Sequence, residues 1–279
     1  MKFLITGANG QLAREFSRAL DTHSTVGMDR ERLDISDFHS VSGAVSSYSP
    51  DIVLNCAAYN LVDTAEDDFD TAFRVNALGT KNLAAACEKH NALMVHFSTD
   101  YVFDGEKNDF YTEEDKPNPI NRYGESKLSG ERFLAEETED FLIFRVSWVF
   151  GEGGRNFLGK LSGWAEKNKV LRIVCDQISV PTYTEDIVKA VLLAVKDGLR
   201  GVYHLTNNGY SSRYEVSRYY LEKMGSNNLI LPVSSGYFQE QAGRPYFSAM
   251  SNAKISRALS LSMPHWKDAI NRFIKRITG

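Results

Sequence analysis

Cysteine is scarce in this chain, and its few positions exclude two kinds of framework. The 279 residues contain three cysteines, Cys56, Cys87 and Cys175. They are odd in number and far apart, so they provide neither a disulfide framework nor the ligand spacing of a metal site. Two of them lie in apolar runs, where buried thiols are expected.

An excess of positive charge and long apolar runs are also missing. The chain has 32 Lys and Arg against 36 Asp and Glu, and its net charge is -4. No basic stripe for nucleic acid is present, so local groups would have to hold any anionic ligand. No apolar run has the length of a membrane span, and the apolar start is too short for a signal peptide. We therefore expect a cytoplasmic protein without nucleic-acid or membrane partners.

The chain begins with a strand, a glycine turn and a helix. The apolar run Lys2 to Thr6 leads into Gly7-Ala8-Asn9-Gly10-Gln11-Leu12-Ala13, and the residues up to Leu20 have a helical pattern. This order is the context of a dinucleotide-binding turn. Gly7 allows the tight turn, Gly10 lets the backbone approach a pyrophosphate, and the helix N-terminus favours that anion. An ordinary strand–helix turn is the alternative.

The end of the second predicted strand, Thr25 to Met28, carries mixed signals for the cofactor. Asp29 follows it and could accept hydrogen bonds from a ribose 2′-hydroxyl, as in NAD sites. Arg30 stands beside Asp29, and a guanidinium could hold a 2′-phosphate. The choice between NADH and NADPH therefore stays open. Farther on, Asp34 and Ile35 either border the adenine pocket, or Asp34 or Ser36 caps the next helix.

Strands that alternate with helices predict an α/β fold. We expect a Rossmann-type doubly wound parallel sheet with a smaller C-terminal substrate-binding lobe. The buried strand Asp51 to Ala58 places small residues where such sheets meet their ligands. The following segment, Phe69 to Lys89, has helical spacing, and Asn76 interrupts its apolar face. We interpret Asn76 as a polar bridge that supports the site.

Tyr123 and Lys127 form a Tyr-x-x-x-Lys pattern. On a helix these residues share one face. A neighbouring ammonium favours the phenolate, so we expect the pair to lower the pKa of Tyr123 and to exchange a proton with a substrate oxygen. Upstream, Ser98 and Thr99 end the strand Ala92 to Phe97, and either hydroxyl could donate to a substrate carbonyl. The alternative is that these hydroxyls only cap a turn.

Several longer motifs resemble one enzyme family along nearly the whole chain. They are ITGANGQL, LNCAA, VDTAE, STDYVFDG, YGESKLSGE, RVSWVFG, DQISVPTY, VYHLTNNG and GRPYFSAM. The chain resembles the extended short-chain dehydrogenase/reductase superfamily and, within it, the dTDP-4-dehydrorhamnose reductase family. The resemblance implies NADPH or NADH as cofactor and reduction of the C4 ketone of a nucleotide-sugar substrate.

The resemblance also assigns roles to residues. It implies that Thr99 polarises the carbonyl, that Tyr123 donates the proton, and that Lys127 holds the nicotinamide ribose. Cofactor contacts are expected from Gly7, Gly10, Gln11, Leu12, Asp29, Arg30, Asp34, Ile35, Ala57, Ala58, Tyr59, Asn76, Tyr123 and Lys127. Substrate contacts are expected from Ser98, Tyr101, Trp148, Asn156 and Arg244.

Four positions depart from the family pattern. Ala13 replaces a glycine, Asn60 a threonine, Ser179 a glycine, and Arg213 the tryptophan of a Ser-Trp-Tyr run. None of them removes a catalytic group. Asn60 and Ser179 are expected near the sugar pocket, so they bear on the identity of the substrate.

The second half of the chain has shorter, mixed elements. We predict a dinucleotide-binding domain at 1–150, joined again by segments near 170–205, and a substrate-binding lobe mainly at 151–279. Arg244 suits a diphosphate, although a surface ion pair is an equal alternative. Trp148 suits a sugar face, although a core role is equally common for tryptophan.

Other functions are open at this stage. They are another nucleotide-sugar reductase or epimerase of the same superfamily, and a non-catalytic regulatory subunit with the same fold. Dehydratases of this superfamily have an Asp-Glu pair beside the catalytic hydroxyl, whereas here Asp100-Tyr101 follows Thr99. A homodimer is possible. Some relatives also carry interfacial Mg²⁺; Glu15 matches one of its ligand positions and Glu185 lies nearby in the pattern, but we expect no metal site and a solvent-facing Glu15.

Overall fold

A six-stranded parallel sheet forms the centre of the protein. The computed structural model describes residues 1–153 and 156–279. The strands are β1 Lys2–Thr6, β2 Ser24–Met28, β3 Ile52–Asn55, β4 Leu93–Thr99, β5 Phe141–Val146, β6 Val149–Phe150, β7 Val170–Val174, β8 Ile178–Ser179, β9 Thr182–Tyr183, β10 Gly201–His204, β11 Ser211–Ser212 and β12 Leu229–Val233. The central sheet has the order β10-β5-β4-β3-β1-β2. All five pairings in it are parallel, so the Rossmann-type prediction is confirmed.

Helices cover the sheet and connect its strands. They are α1 Gln11–Ala19, α2 Phe38–Tyr48, α3 Thr64–Asp67, α4 Phe69–Phe73, α5 Gly79–His90, α6 Arg122–Glu137, α7 Phe157–Lys167, α8 Thr184–Lys196, α9 Arg213–Lys223, α10 Ala253–Ala258 and α11 Trp266–Thr278. Short 3₁₀ turns lie at Asp100–Val102 and Ser235–Tyr237. Within the two described ranges, no helix is long and apolar enough to cross a membrane.

The order in which strands are added to the sheet reverses between β1 and β3. From β1 the chain adds β2 on one side, and β3, β4 and β5 follow on the other. Doubly wound sheets bind ligands outside the strand ends at such a reversal. Gly7, at φ 64°, makes the tight turn after β1, and a Cβ there would lie 2.8 Å from the Ala57 backbone. The two strand ends therefore approach each other as closely as glycine permits.

The helical segment around Asn76 differs from the expected interrupted helix. The residues Arg74–Leu78 form a π-helical turn between α4 and α5. The Asn76 carbonyl lies so close to α6 that a Cβ on Gly130 would be 2.3 Å from its oxygen. Helix α6, which contains Tyr123 and Lys127, therefore packs closely against the segment from α4 to α5.

Later elements divide between the central sheet and smaller ones. The strand β10 pairs with β5, whereas β7 pairs with β12 in a separate two-stranded sheet. A separate hydrophobic cluster lies under these smaller elements and includes Tyr183, Tyr220 and Phe273. The division of the chain at residue 150 stays a prediction.

Candidate active site

The end of β4 and the first two turns of α6 bring the predicted catalytic residues together. Thr99 ends β4, and Tyr123 and Lys127 occupy the same face of α6. The Asn121 side chain caps α6 by accepting from the Gly124 amide at 2.7 Å. A capped helix start fixes the first turn, so the cap places the Tyr123 ring over the end of β4.

The Tyr123 phenol lies between Thr99 and Asn60. It donates to Asn60 Oδ1 at 3.4 Å, and the Tyr101 ring meets its ring edge to face at 6.0 Å. Desolvation raises the pKa of Tyr123 above its ordinary value, and an interaction with the Thr99 hydroxyl acts in the opposite direction. The expectation of a lowered pKa is therefore wrong for the protein alone, because burial outweighs every favourable contact that the phenolate would have.

Lys127 points into the sheet. It is buried, and Nζ donates to the Phe97 carbonyl at 2.6 Å and lies 3.4 Å from His96 Nε2. Desolvation lowers the pKa of Lys127 to about 8 and keeps His96 neutral by lowering its pKa as well.

A buried polar chain continues from His96 toward the glycine turn. His96 Nδ1 lies 3.1 Å from Asn55 Nδ2, and Asn55 Oδ1 accepts from Thr6 at 2.7 Å. The Ala57 amide then donates to the Thr6 hydroxyl at 3.2 Å. Lys127 is thus linked through three strands to the predicted cofactor turn.

The hydroxyls at the end of β4 have different surroundings. Thr99 donates to Asp100 Oδ1 at 3.2 Å and accepts from the Tyr101 amide at 3.2 Å. Its proton is therefore directed to Asp100, and donation to a carbonyl, as the sequence predicts, requires that hydrogen bond to be exchanged. Ser98 Oγ is buried and has no hydrogen-bond partner within residues 1–153 and 156–279. An orphaned hydroxyl at a strand end is a polar group that a ligand can satisfy.

The start of α1 fits a phosphate group. Gly10 is the N-cap residue and provides no side-chain cap, so the first amides of α1 have no side-chain acceptor. Free amides at the N-terminus of a helix attract anions. Ala13 is fully buried behind the turn, and the adjoining Leu12 packs against the same core. The replacement of glycine by Ala13 therefore leaves the turn intact.

Two predicted site residues, Gln11 and Asn156, contact each other. Asn156 Nδ2 donates to Gln11 Oε1 at 3.0 Å, and Gln11 Nε2 donates to the Val149 carbonyl at 3.1 Å. Asn156 is buried and also caps α7. Both side chains therefore join the glycine turn to the second half of the chain.

The predicted adenine side is partly self-satisfied. Asp29 accepts from Asn9 at 3.2 Å and from the Arg32 amide at 3.2 Å, whereas Arg30 is exposed. Asp34 accepts from Ser36, which lowers the pKa of Asp34. Neither residue caps the next helix: Asp37 does, because its carboxylate accepts from the His39 amide.

The residues after β3 are fixed by the π-helical turn. Asn76 accepts from the Tyr59 amide at 2.8 Å and donates to the Tyr59 carbonyl at 3.0 Å and to Ser126 Oγ at 3.0 Å. Ser126 in turn donates to the Tyr123 carbonyl. Asn76 is thus the polar bridge that the sequence predicts. Ala57 and Ala58 remain half-buried beside it, whereas Ile35 is buried under Gly79.

The predicted substrate residues are only partly free. Arg244 is paired with Asp63, through two nitrogens at 3.0 and 2.6 Å, and with Glu240 at 2.9 Å. This ion pairing is the alternative that the sequence left open. Trp148, at φ 40°, has one face covered by the guanidinium of Arg213 at 3.7 Å. Sequence reasoning noted Arg213 only as a departure and missed its position here.

Glu15, which matches a metal-ligand position of some relatives, lies in an ion-pair cluster with Glu185. Glu15 is buried, not solvent-facing as expected, and its carboxylate meets Arg18 and Arg276. Arg276 also lies 3.6 Å from Glu185. Desolvation raises the pKa of Glu15. In the described part of the chain, no group of three or more His, Cys, Asp or Glu side chains is arranged to hold a metal ion.

Comparison with known proteins gives consistent matches over the full length. A family model described as "RmlD substrate binding domain" matches residues 1–278. The spore coat polysaccharide biosynthesis protein SpsK of Bacillus subtilis is 36% identical over 98% of this chain and 97% of its own length. A dTDP-4-dehydrorhamnose reductase of Burkholderia thailandensis is 35% identical over 99% of this chain and 98% of its own length.

A solved structure shows the same fold in detail. The dTDP-4-dehydrorhamnose reductase of Bacillus anthracis, solved in complex with NADP, is 35% identical and superposes with a TM-score of 0.96. The match covers 99% of this chain and 100% of that chain. Because the family model matches residues 1–278 and a relative is 35% identical over 99% of the chain, this chain belongs to the RmlD-like family of the extended short-chain dehydrogenase/reductase superfamily.

Proposed function

We propose that this protein reduces the C4 ketone of dTDP-4-dehydro-L-rhamnose with NADPH or NADH as hydride donor. The observation that carries the proposal is the convergence of Thr99, Tyr123 and Lys127 at the carboxyl edge of the parallel sheet. The names of relatives about 35% identical over the whole chain support the same reaction.

Tyr123 is suited to give a proton rather than to take one. Its raised pKa keeps the phenol protonated at neutral pH. When bound, a reduced nicotinamide supplies the hydride, and Tyr123 then protonates the C4 oxygen. Thr99 and Asn60 border the phenol and orient it. A positioned proton donor of this kind increases the reaction rate about 10²–10⁴-fold.

The cofactor sites follow from the groups left unsatisfied by the protein. The first amides of α1 would hold the pyrophosphate, and Lys127 would reach the nicotinamide ribose by exchanging its bond to Phe97. Asp29 and Arg30 would contact the adenine ribose. Because Arg30 is exposed and Asp29 already accepts two hydrogen bonds, we propose that a 2′-phosphate is accepted there.

An epimerase or a non-catalytic subunit fits the site less well. An epimerase that deprotonates carbon needs a carboxylate base that faces the substrate, whereas Asp100 is buried and accepts from Ser179 and Ser248. A non-catalytic subunit gives no reason for Tyr123 and Lys127 to share the strand edge with Thr99.

Oxidation of NADPH and of NADH with dTDP-4-dehydro-L-rhamnose generated in situ tests the proposal. We expect turnover by the wild type and a loss of about 10²–10⁴-fold in Tyr123→Phe, with NADPH affinity unchanged. Equal activity in Tyr123→Phe would refute the mechanism. No turnover despite cofactor binding would favour another keto sugar or the regulatory subunit, and protein purified with tightly bound NAD would favour an epimerase.

Assembly and location belong to the same proposal. A homodimer would be detected by light scattering coupled to size-exclusion chromatography, and repeating the run with a chelator would test the Mg²⁺ alternative. The cytoplasmic location would be checked by cell fractionation.

A further inference from the structure

Arg213 is a stacked cation at the first position of α9. The guanidinium carbon lies 3.7 Å from the centre of the Trp148 ring and 4.7 Å from that of Phe157. Stacking of this kind uses the flat face of the guanidinium. Its five N–H groups lie in the plane and point outward at the edge, so the two aromatic rings satisfy none of them.

No acceptor among the described residues meets the edge of the Arg213 guanidinium. Across residues 1–153 and 156–279, its side chain forms neither a hydrogen bond nor an ion pair, and only its backbone carbonyl accepts, from Ser217. The other half-buried arginines of the described ranges behave differently: Arg244, Arg272 and Arg276 are each held by two or more carboxylates. Desolvation lowers the pKa of Arg213. Arg213 is half-buried, and a partly desolvated charge without a counter-ion is stabilised when an anionic ligand completes it.

Arg213 lies beside the catalytic residues. Asp100 and Tyr101 are close enough to act on its charge. It also lines a cavity of about 110 Å³ with Trp148 and Pro181, among other residues. A larger cavity of about 370 Å³ lies elsewhere, against Glu152 and Arg276, and contains none of the predicted catalytic residues. Neither cavity is lined by Thr99, Tyr123 or Lys127, so the link from Arg213 to these residues runs through Asp100 and Tyr101.

The charges around Tyr101 indicate what completes Arg213. Desolvation raises the pKa of Tyr101, and the positive charges of Arg213 and Arg244 oppose that rise. Arg244 is already neutralised by Asp63 and Glu240, whereas Arg213 has no carboxylate of its own. The net charge of -4 provides no general attraction for an anion. A single unneutralised guanidinium, held flat with its donors exposed, matches the paired oxygens of a phosphate.

We propose that Arg213 binds the diphosphate of the nucleotide-sugar substrate through the free edge of its guanidinium. The inference rests on the proposed function, since it places the diphosphate of that substrate beside Tyr101. Trp148 acts as the platform that fixes the guanidinium plane, so its covered face is closed to the sugar. Arg213 then determines affinity for the substrate and does not take part in hydride or proton transfer.

Calorimetric titration with dTDP tests this assignment without requiring turnover. We expect Arg213→Gln to weaken dTDP binding about 10-fold or more, because charge-assisted hydrogen bonds to phosphate are lost. Arg213→Lys should retain part of the affinity, since an ammonium keeps the charge without the fork. Arg218→Gln, an exposed arginine on the same helix, is the matched control and should bind dTDP as the wild type does. NADPH affinity should be unchanged in all variants and shows that each is folded.

The outcomes separate this inference from the proposed reaction. Wild-type dTDP affinity in Arg213→Gln would overturn the assignment, and so would a loss of NADPH affinity instead, which would place the anion on the cofactor. If the wild type bound none of dTDP, UDP and GDP, the assignment would also fail. Suppose that dTDP binding is weakened in Arg213→Gln but the wild type does not turn over dTDP-4-dehydro-L-rhamnose. This result would uphold Arg213 as the diphosphate contact and refute the proposed reduction of that sugar. In steady state the variant should raise KM and leave kcat near the wild-type value.

Discussion

Ser179 donates a hydrogen bond to the carboxylate of Asp100, with 2.8 Å between Ser179 Oγ and Asp100 Oδ2. Ser248 donates to the same oxygen at 2.6 Å, and Thr99 donates to the other at 3.2 Å. Asp100 and Ser179 are both buried. The serine that departs from the family pattern therefore holds the residue next to Thr99.

Removal of the Ser179 hydroxyl should destabilise the protein in a pH-dependent way. Ser179→Ala should cost about 1.5–3 kcal/mol at pH 7, the range for hydrogen bonds to charged groups. Desolvation raises the pKa of Asp100 in the folded state. Between the unfolded and the folded pKa, the folded state therefore keeps a proton that the unfolded state has released. Losing a donor raises that pKa further. The deficit against wild type is therefore full at neutral pH and shrinks in acid, where the carboxyl group is protonated.

Urea unfolding at neutral and acidic pH measures this difference. Ser129→Ala is the control, because Ser129 donates only to the backbone carbonyl of Glu125 on the same helix. A deficit in Ser179→Ala that did not change with pH would contradict the role of the Asp100 charge.

The pKa of Lys127 predicts the alkaline limit of activity. Desolvation lowers that pKa from 10.5 to about 8, so the ammonium form is lost above this pH. With NADPH limiting, kcat/KM should fall above about pH 8, since this parameter reports the free enzyme. Lys127→Arg keeps its charge and should move the limit upward, although at a lower rate. A wild-type profile that stayed flat to pH 10 would contradict the assignment.

Unfolding does not explain this loss. Because the folded pKa of Lys127 lies below the unfolded value, Lys127 lowers stability below pH 8, and this cost disappears as the pH rises toward 10.5. Activity should therefore fall over an interval in which the Lys127 contribution to the free energy of unfolding rises. Circular dichroism at each pH separates the two effects.

Gly130 marks the contact that fixes the catalytic helix. A Cβ at this position would lie 2.3 Å from the Asn76 carbonyl oxygen, and backbone cannot move aside cheaply. Gly130→Ala should destabilise the protein by about 1–3 kcal/mol, as overpacking does, and should lower kcat by shifting α6. Gly163→Ala is the control: that glycine lies inside α7 with nothing within 4 Å, and alanine there should stabilise by about 0.5–1 kcal/mol. Equal melting temperatures for the two variants would contradict the packing argument.

A buried ion pair joins α6 to β5. Arg145 Nη2 lies 2.7 Å from Glu131 Oε2, and each side chain is 6% exposed. Glu131→Gln leaves the guanidinium without its counter-charge and should cost roughly 3–5 kcal/mol. Glu125→Gln breaks an exposed pair with Arg122 and should cost about 0–1 kcal/mol. Chemical denaturation of both variants distinguishes the sites, and a loss below 1 kcal/mol in Glu131→Gln would contradict the role of the pair.

Local geometry explains why part of the site could be predicted. The spacing of Tyr123 and Lys127 is set by one helical turn, and Gly7 follows directly from the strand before it. Thr99 could be placed because parallel strands end at a common edge. The effect of the surroundings could not be predicted in the same way, and the pKa of Tyr123 is raised where its spacing from Lys127 favours a lowered value.

The sequence by itself determined the α/β class, the cofactor turn and the catalytic face of α6, because each depends on residues a few positions apart. Tertiary structure alone decided that Ser179 holds Asp100, that Gln11 contacts Asn156, and that Arg213 lies against Trp148. These partners are separated by 65 or more positions, so their contacts depend on the path of the whole chain. Burial, which lowers the pKa of Lys127, exists only after that path has closed.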